Sequence, residues 1–266
     1  MKRTSTATGP LNRIAGRIQY RGPEAIVFIH GLGASRDAFD PAFDQESLSG
    51  YTLASLDLPG FGRSPAAEGL SYAMDDLARL VLAWSERLEA DRVHLVGHSM
   101  GGVIGLYAAE SLGSRAGIFI NVEGNLGPED CRFSGRIASL SRQDFERRGM
   151  AAFRRMLEVL LEKEPSPGLG RYAGDLERVD PGALYRCACA LVRESREGRL
   201  ARRFLELPAR KAYVTGERSL NPAHRLFMEE HAIPCHVVHG SGHFVMDDRP
   251  ELFWPIVARA IQNRRS

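Results

Sequence analysis

Cysteine is scarce in this chain: Cys131, Cys187, Cys189 and Cys235 are the four in 266 residues. They are too few and too irregularly spaced for the disulfide framework of a small secreted domain. Charge of one sign is lacking too. Lys and Arg number 35 against 33 Asp and Glu, a net charge of +2. No basic stripe with interleaved aromatics is present, so nucleic acid is excluded as the expected partner. No apolar run approaches the roughly 20 residues that span a bilayer. Residues 1–10 are basic but lack the apolar stretch of a signal peptide, and a cytoplasmic location with reduced thiols is expected. His94, His224, His231, His236 and His239 show no ligand spacing with Cys or carboxylates, so neither a metal nor a cofactor is expected. Internal repeats and long low-complexity segments are absent.

What is present is a chain with 44% apolar and 26% charged residues, suited to one large domain with a substantial core. A short tail leads into a strand expected around Ile14 to Tyr20. Three short apolar runs then read as buried strands: Ile26–Ile29, Thr52–Leu56 and Val93–Val96. The third runs into Gly97-His98-Ser99-Met100-Gly101 and then into a helix with one small-residue face. A serine between strand and helix, with glycine two positions away on each side, has the form of a nucleophile elbow. The serine backbone must turn sharply there, and glycines remove the Cβ atoms that would crowd the turn. The following helix N-terminus favours negative charge beside the serine.

Three further motifs accompany the elbow: His30-Gly31-Leu32-Gly33, Asp57-Leu58-Pro59-Gly60-Phe61-Gly62, and Gly240-Ser241-Gly242-His243-Phe244 after the strand Cys235–Val238. In this order and spacing the four resemble the α/β-hydrolase family over residues 11–124 and 206–262. The resemblance implies an α/β fold: a mostly parallel central sheet flanked by helices, with an inserted helical cap. It implies Ser99 as nucleophile, His243 as its general base, and the backbone N–H groups of Leu32 and Met100 as an oxyanion hole. His30 and Asp57 read as structural hydrogen-bonding groups, and His98 receives no chemical role.

The acid of the triad departs from the family pattern. Most relatives carry an aspartate after the strand that follows the cap, here Lys211–Thr215, and that position falls near Ser219. A hydroxyl carries no charge and cannot replace it. One strand earlier, Gly117–Val122 ends at Glu123, and the order Ser99, Glu123, His243 keeps the order serine, acid, histidine. Glu123 is therefore assigned as the acid, with Glu217 and the lack of any acid as the alternatives.

The domain boundaries expected are 1–125 for the first part of the hydrolase core, 126–205 for the helical cap and 206–266 for the second part. Within the cap, Phe153, Met156, Leu157, Leu160 and Leu161 recur at helical spacing, with Arg147, Arg148, Arg154 and Arg155 on a solvated face. Pro165-Ser166-Pro167-Gly168 stops that helix, and Asp180-Pro181-Gly182 starts another. The reading is a carboxylesterase-like serine hydrolase that takes a small-molecule substrate with an apolar acyl group. Carbon–carbon bond or amide hydrolysis by the same triad, and a non-catalytic receptor on a hydrolase fold, are the alternatives. The oligomeric state stays open.

Overall fold

The computed structural model describes residues 10–263; the tail expected at residues 1–10 lies, apart from Pro10, outside them. Among the described residues the chain forms seven strands: β1 (Gly16–Gln19), β2 (Glu24–Ile29), β3 (Thr52–Leu56), β4 (Arg92–His98), β5 (Ala116–Val122), β6 (Arg210–Gly216) and β7 (Cys235–Val238). They form one sheet in the order β1-β3-β2-β4-β5-β6-β7. The edge strand β1 runs antiparallel to β3, and the pairings from β3 through β7 are parallel. β2 is apolar after Glu24 and buried over Ala25–Ile29 because both its faces are covered, as parallel strands require.

The helices of the core are α1 (Met74–Ser85), α2 (Met100–Leu112), α9 (Pro222–Glu230), α10 (Val245–Asp248) and α11 (Pro250–Gln262). Helix α2 lies against β4, β5 and α1. It comes close to the sheet because a Cβ on Gly105 would meet the Phe119 ring at 2.7 Å. Trp254 of α11 meets Phe28 of β2 edge-on at 5.9 Å. Such buried aromatic pairs contribute about 0.5–1.5 kcal/mol beyond the area they bury.

Between β5 and β6 the described chain carries helices and short turns but no strand: α3 (Arg132–Ala138), α4 (Arg142–Asp144), a π-helical turn (Phe145–Gly149), α5 (Met150–Lys163), α6 (Pro167–Asp175), α7 (Pro181–Arg196) and α8 (Leu200–Glu206), with 3-10 turns at Pro128–Asp130 and Leu176–Arg178. Helix α5 buries Phe153 and Leu157 as its periodicity predicts, and it ends before Pro165. The same segment also begins a helix. Ser166 caps α6 by accepting the Leu169 N–H, with Pro167 in the first turn, where a missing N–H costs nothing. Asp180 caps α7 in the same way through Ala183 N–H. One arginine departs from the expected solvated face: Arg154 is half-buried and donates to the Leu176 carbonyl at 2.5 Å.

Candidate active site

Ser99 sits between β4 and α2 with φ 54° and ψ −120°, a left-handed conformation that a non-glycine residue holds only under constraint. The constraint is visible on both sides. Ser99 N–H donates to Val122 O at 2.9 Å, and Ser99 O accepts the Gly102 N–H at 2.8 Å. A Cβ on Gly97 would collide with the Gly101 carbonyl, and one on Gly101 with the Ile29 carbonyl. The two glycines are thus needed where the turn is tightest. Met100 opens α2, so its N–H has no acceptor one turn earlier within the helix. The loop after β2 lies alongside: a Cβ on Gly31 would approach Ser99 Cβ to 3.0 Å. Leu32 lies on the wall of the cavity that Ser99 faces.

Glu123 directly follows β5 and is also left-handed, at φ 54°. Its N–H donates to Val214 O at 2.9 Å, which turns the side chain across the end of the sheet toward β6 and the β7 loop. There Oε2 lies 3.1 Å from His243 Nδ1. Oε1 accepts three hydrogen bonds: Thr215 hydroxyl at 2.7 Å, Gly216 N–H at 2.6 Å and Ser219 hydroxyl at 2.6 Å. Burial to 9% exposure pushes the Glu123 carboxyl up. The bonds from His243, Ser219 and Thr215 outweigh burial and hold it below its ordinary value, because they favour the ionised form. Glu217 points elsewhere. It is exposed and accepts Gly240 N–H at 2.9 Å, with His239 Nδ1 at 3.2 Å.

The neighbouring histidines have structural partners. His30 Nε2 accepts the Leu58 N–H at 2.9 Å, so Nδ1 carries the proton and donates to Gly31 O at 2.8 Å. Asp57 accepts the N–H groups of Arg36 and Arg63 at 2.8 and 2.9 Å. His98, assigned no role from sequence, donates from Nε2 to the carbonyl of His243 at 2.9 Å. Desolvation, with His243 close by, holds His98 well below the ordinary imidazole value, so it is a neutral prop for the backbone of His243.

These groups face a cavity of about 390 Å³ that lies between the sheet edge and the helical insertion. Phe133, Leu160, Leu169 and Leu191 give it an apolar wall, while Arg132 and Arg218 add charge. Sequence spacing missed one cluster on that wall. Glu129 and Asp130 stand about a hundred positions before His224, yet Nε2 of His224 is 3.3 Å from Glu129 Oε1 and 3.4 Å from Asp130 Oδ2. Burial raises the Asp130 carboxyl above its ordinary value, against the opposing pull of His224. Adjacent strands, not sequence proximity, bring the three together, so no local motif could have signalled them. Their donor atoms lie within 4.8 Å of one another, close enough to share a cation.

A family model described as the alpha/beta hydrolase family matches residues 26–255. The chain is 32% identical over 109 residues to a 2-hydroxy-6-oxononadienedioate/2-hydroxy-6-oxononatrienedioate hydrolase of Burkholderia vietnamiensis, 40% of this chain and 38% of that one. The matched stretch spans about a third of the length of the curated relatives. Among solved structures, the enol-lactonase from Burkholderia xenovorans superposes with a TM-score of 0.75 at 20% identity, covering 94% of this chain and 96% of that one. A structure from work on carboxylesterases of Nitrososphaera gargenis gives 0.75 at 18% identity, covering 92% and 93%.

Proposed function

The chain belongs to the alpha/beta hydrolase family, and from that premise we propose that it is a serine hydrolase that cleaves a carboxylic ester or related acyl bond. The observation that carries the reading is the contact between Glu123 Oε2 and His243 Nδ1 at 3.1 Å, on the wall of the cavity that Ser99 also faces. With Nδ1 donating to the carboxylate, Nε2 of His243 is left unprotonated and able to accept the Ser99 proton. Ser99 Oγ then attacks the acyl carbon. Negative charge develops on the acyl oxygen, where the N–H groups of Leu32 and Met100 hold it. Imidazolium, stabilised by Glu123, returns the proton to the leaving group. The tetrahedral species collapses to an acyl-enzyme. Water, deprotonated by His243, releases the acid and restores Ser99. Residues 126–205 act as the cap, whose apolar side chains receive the acyl group.

One observation favours a second reading. A relative is named for a hydroxy-oxo dioate, a keto acid without an ester, whose hydrolysis must break a carbon–carbon bond. The same three residues would act on the ketone carbon.

The test is hydrolysis of p-nitrophenyl esters of increasing acyl length, with labelling by a fluorophosphonate probe and Ser99→Ala run beside the wild type. Turnover and labelling, both lost in Ser99→Ala, are expected. Labelling without ester turnover moves the reading to the keto-acid class. No labelling and no turnover, with ligand binding retained, would establish the receptor alternative instead.

A further inference from the structure

Helix α6 is tied at both ends to the two loops that flank Ser99. At its N-terminal end, Asp248 Oδ1 accepts the Ser166 hydroxyl at 2.8 Å and the Gly168 N–H at 3.1 Å. The other oxygen of the same carboxylate accepts the N–H of Gly242 at 3.0 Å, the residue before His243. At the C-terminal end, Asp175 accepts Ser35 N–H at 3.1 Å and Ser35 hydroxyl at 2.9 Å. Ser35 ends the loop that begins at His30 and carries Leu32. Between the two ends, Arg171 Nε donates to Asp247 at 2.7 Å and its Nη1 to Asp175 at 3.2 Å. Tyr172 packs on Phe244 with ring centroids 5.1 Å apart. Its buried hydroxyl has no hydrogen-bond partner among the described residues and would stand 2.7 Å from a Cβ on Gly33. Leu169, on the same helix, faces the cavity.

We infer that Asp175 and Asp248 are positioning residues: through helix α6 they set the Leu32 loop and the His243 loop relative to Ser99. The inference rests on the serine hydrolase reading and adds to it. A nine-residue helix with a carboxylate clamp at each end leaves little slack between the oxyanion donor and the base. A substrate acyl group that shifts Leu169 therefore moves both loops together. A displacement of about 1 Å between reacting groups is enough to slow chemistry up to about a hundredfold, so loosening either clamp acts on kcat.

The test compares Asp175→Asn and Asp248→Asn with the wild type, well below their melting temperatures. Fluorophosphonate end-point labelling counts the competent sites, so that kcat is expressed per labelled site. A clamp that only stabilises the fold lowers the number of sites and the Tm, and leaves kcat per site unchanged. The expected result is a fall in kcat per site of about tenfold or more in both variants, with KM within about threefold. A kcat per site within about twofold of wild type in either variant overturns the inference, whatever the Tm. Where an asparagine variant does not fold, Ser35→Ala replaces it at the Leu32 end and Ser166→Ala at the His243 end. Each removes one hydroxyl donor, and each is expected to lower kcat per site by about threefold or more; an unchanged value overturns the inference. A wild type that neither labels nor turns over any ester would sink the serine hydrolase reading instead.

Discussion

Ser219 stands where the family resemblance leads one to expect an aspartate, and its hydroxyl donates to Glu123 at 2.6 Å. Glu123 is longer than aspartate and leaves β5 in a left-handed conformation, and both features serve to reach His243 Nδ1. Three donors on Oε1 leave Oε2 for the imidazole. Replacing Ser219 with Ala removes one charge-assisted bond, worth about 1.5 kcal/mol, while Thr215 and Gly216 remain. The expected outcome is a several-fold loss of kcat/KM and a Tm lower by about 3–6 °C. Steady-state kinetics and calorimetry check it. The sequence revealed that Ser219 was not an acid. It could not reveal what Ser219 bonds to, because that depends on β5 and β6 being neighbours in the sheet.

At the level of elements, strands were legible and helix starts were less so. Each buried parallel strand is a short apolar run that ends at a glycine-bearing turn, and Thr52–Leu56 and Cys235–Val238 have the bounds their sequences indicate. The elbow was legible because Gly97 and Gly101 meet backbone, not side chains, so no other residue fits there. The Pro165–Gly168 segment illustrates the limit. Its prolines announce a helix end, and its Ser-Pro pair is also a cap and first residue for α6. Composition alone does not separate the two meanings. The clamps on α6 were not legible, since Asp175 meets Ser35 across 140 positions and Asp248 meets Ser166 across 82. Only the placement of the insertion against the core brings those pairs together.

For the molecule as a whole, buried histidines set the response to acid. Burial lowers the imidazoles of His30, His94 and His98 from an ordinary value of 6.5. In the unfolded chain these groups take up protons as pH falls through 6.5; in the folded chain they do not. Their contribution to stability is therefore fully present above that value and declines below it. Glu123, held below its ordinary value of 4.5, adds a further loss as pH falls through the carboxylate range. Asp130 and Asp247 are raised by burial and offset part of that later loss. Calorimetry from pH 8 to pH 5 is expected to show a Tm constant at first and then falling steadily below about pH 6.5. A Tm that rises on acidification over that range would contradict the burial of these three rings as neutral groups.

The identity of the acid is the central claim, and one comparison tests it directly: kcat/KM for ester hydrolysis by Glu123→Gln and Glu217→Gln, each per fluorophosphonate-labelled site. Glutamine at 123 keeps the size of the side chain and removes the charge that orients and stabilises His243. The account predicts a loss of about 10³–10⁴ in Glu123→Gln and a value within a few-fold of wild type in Glu217→Gln. A Glu123→Gln enzyme of nearly full activity beside an inactive Glu217→Gln would contradict it.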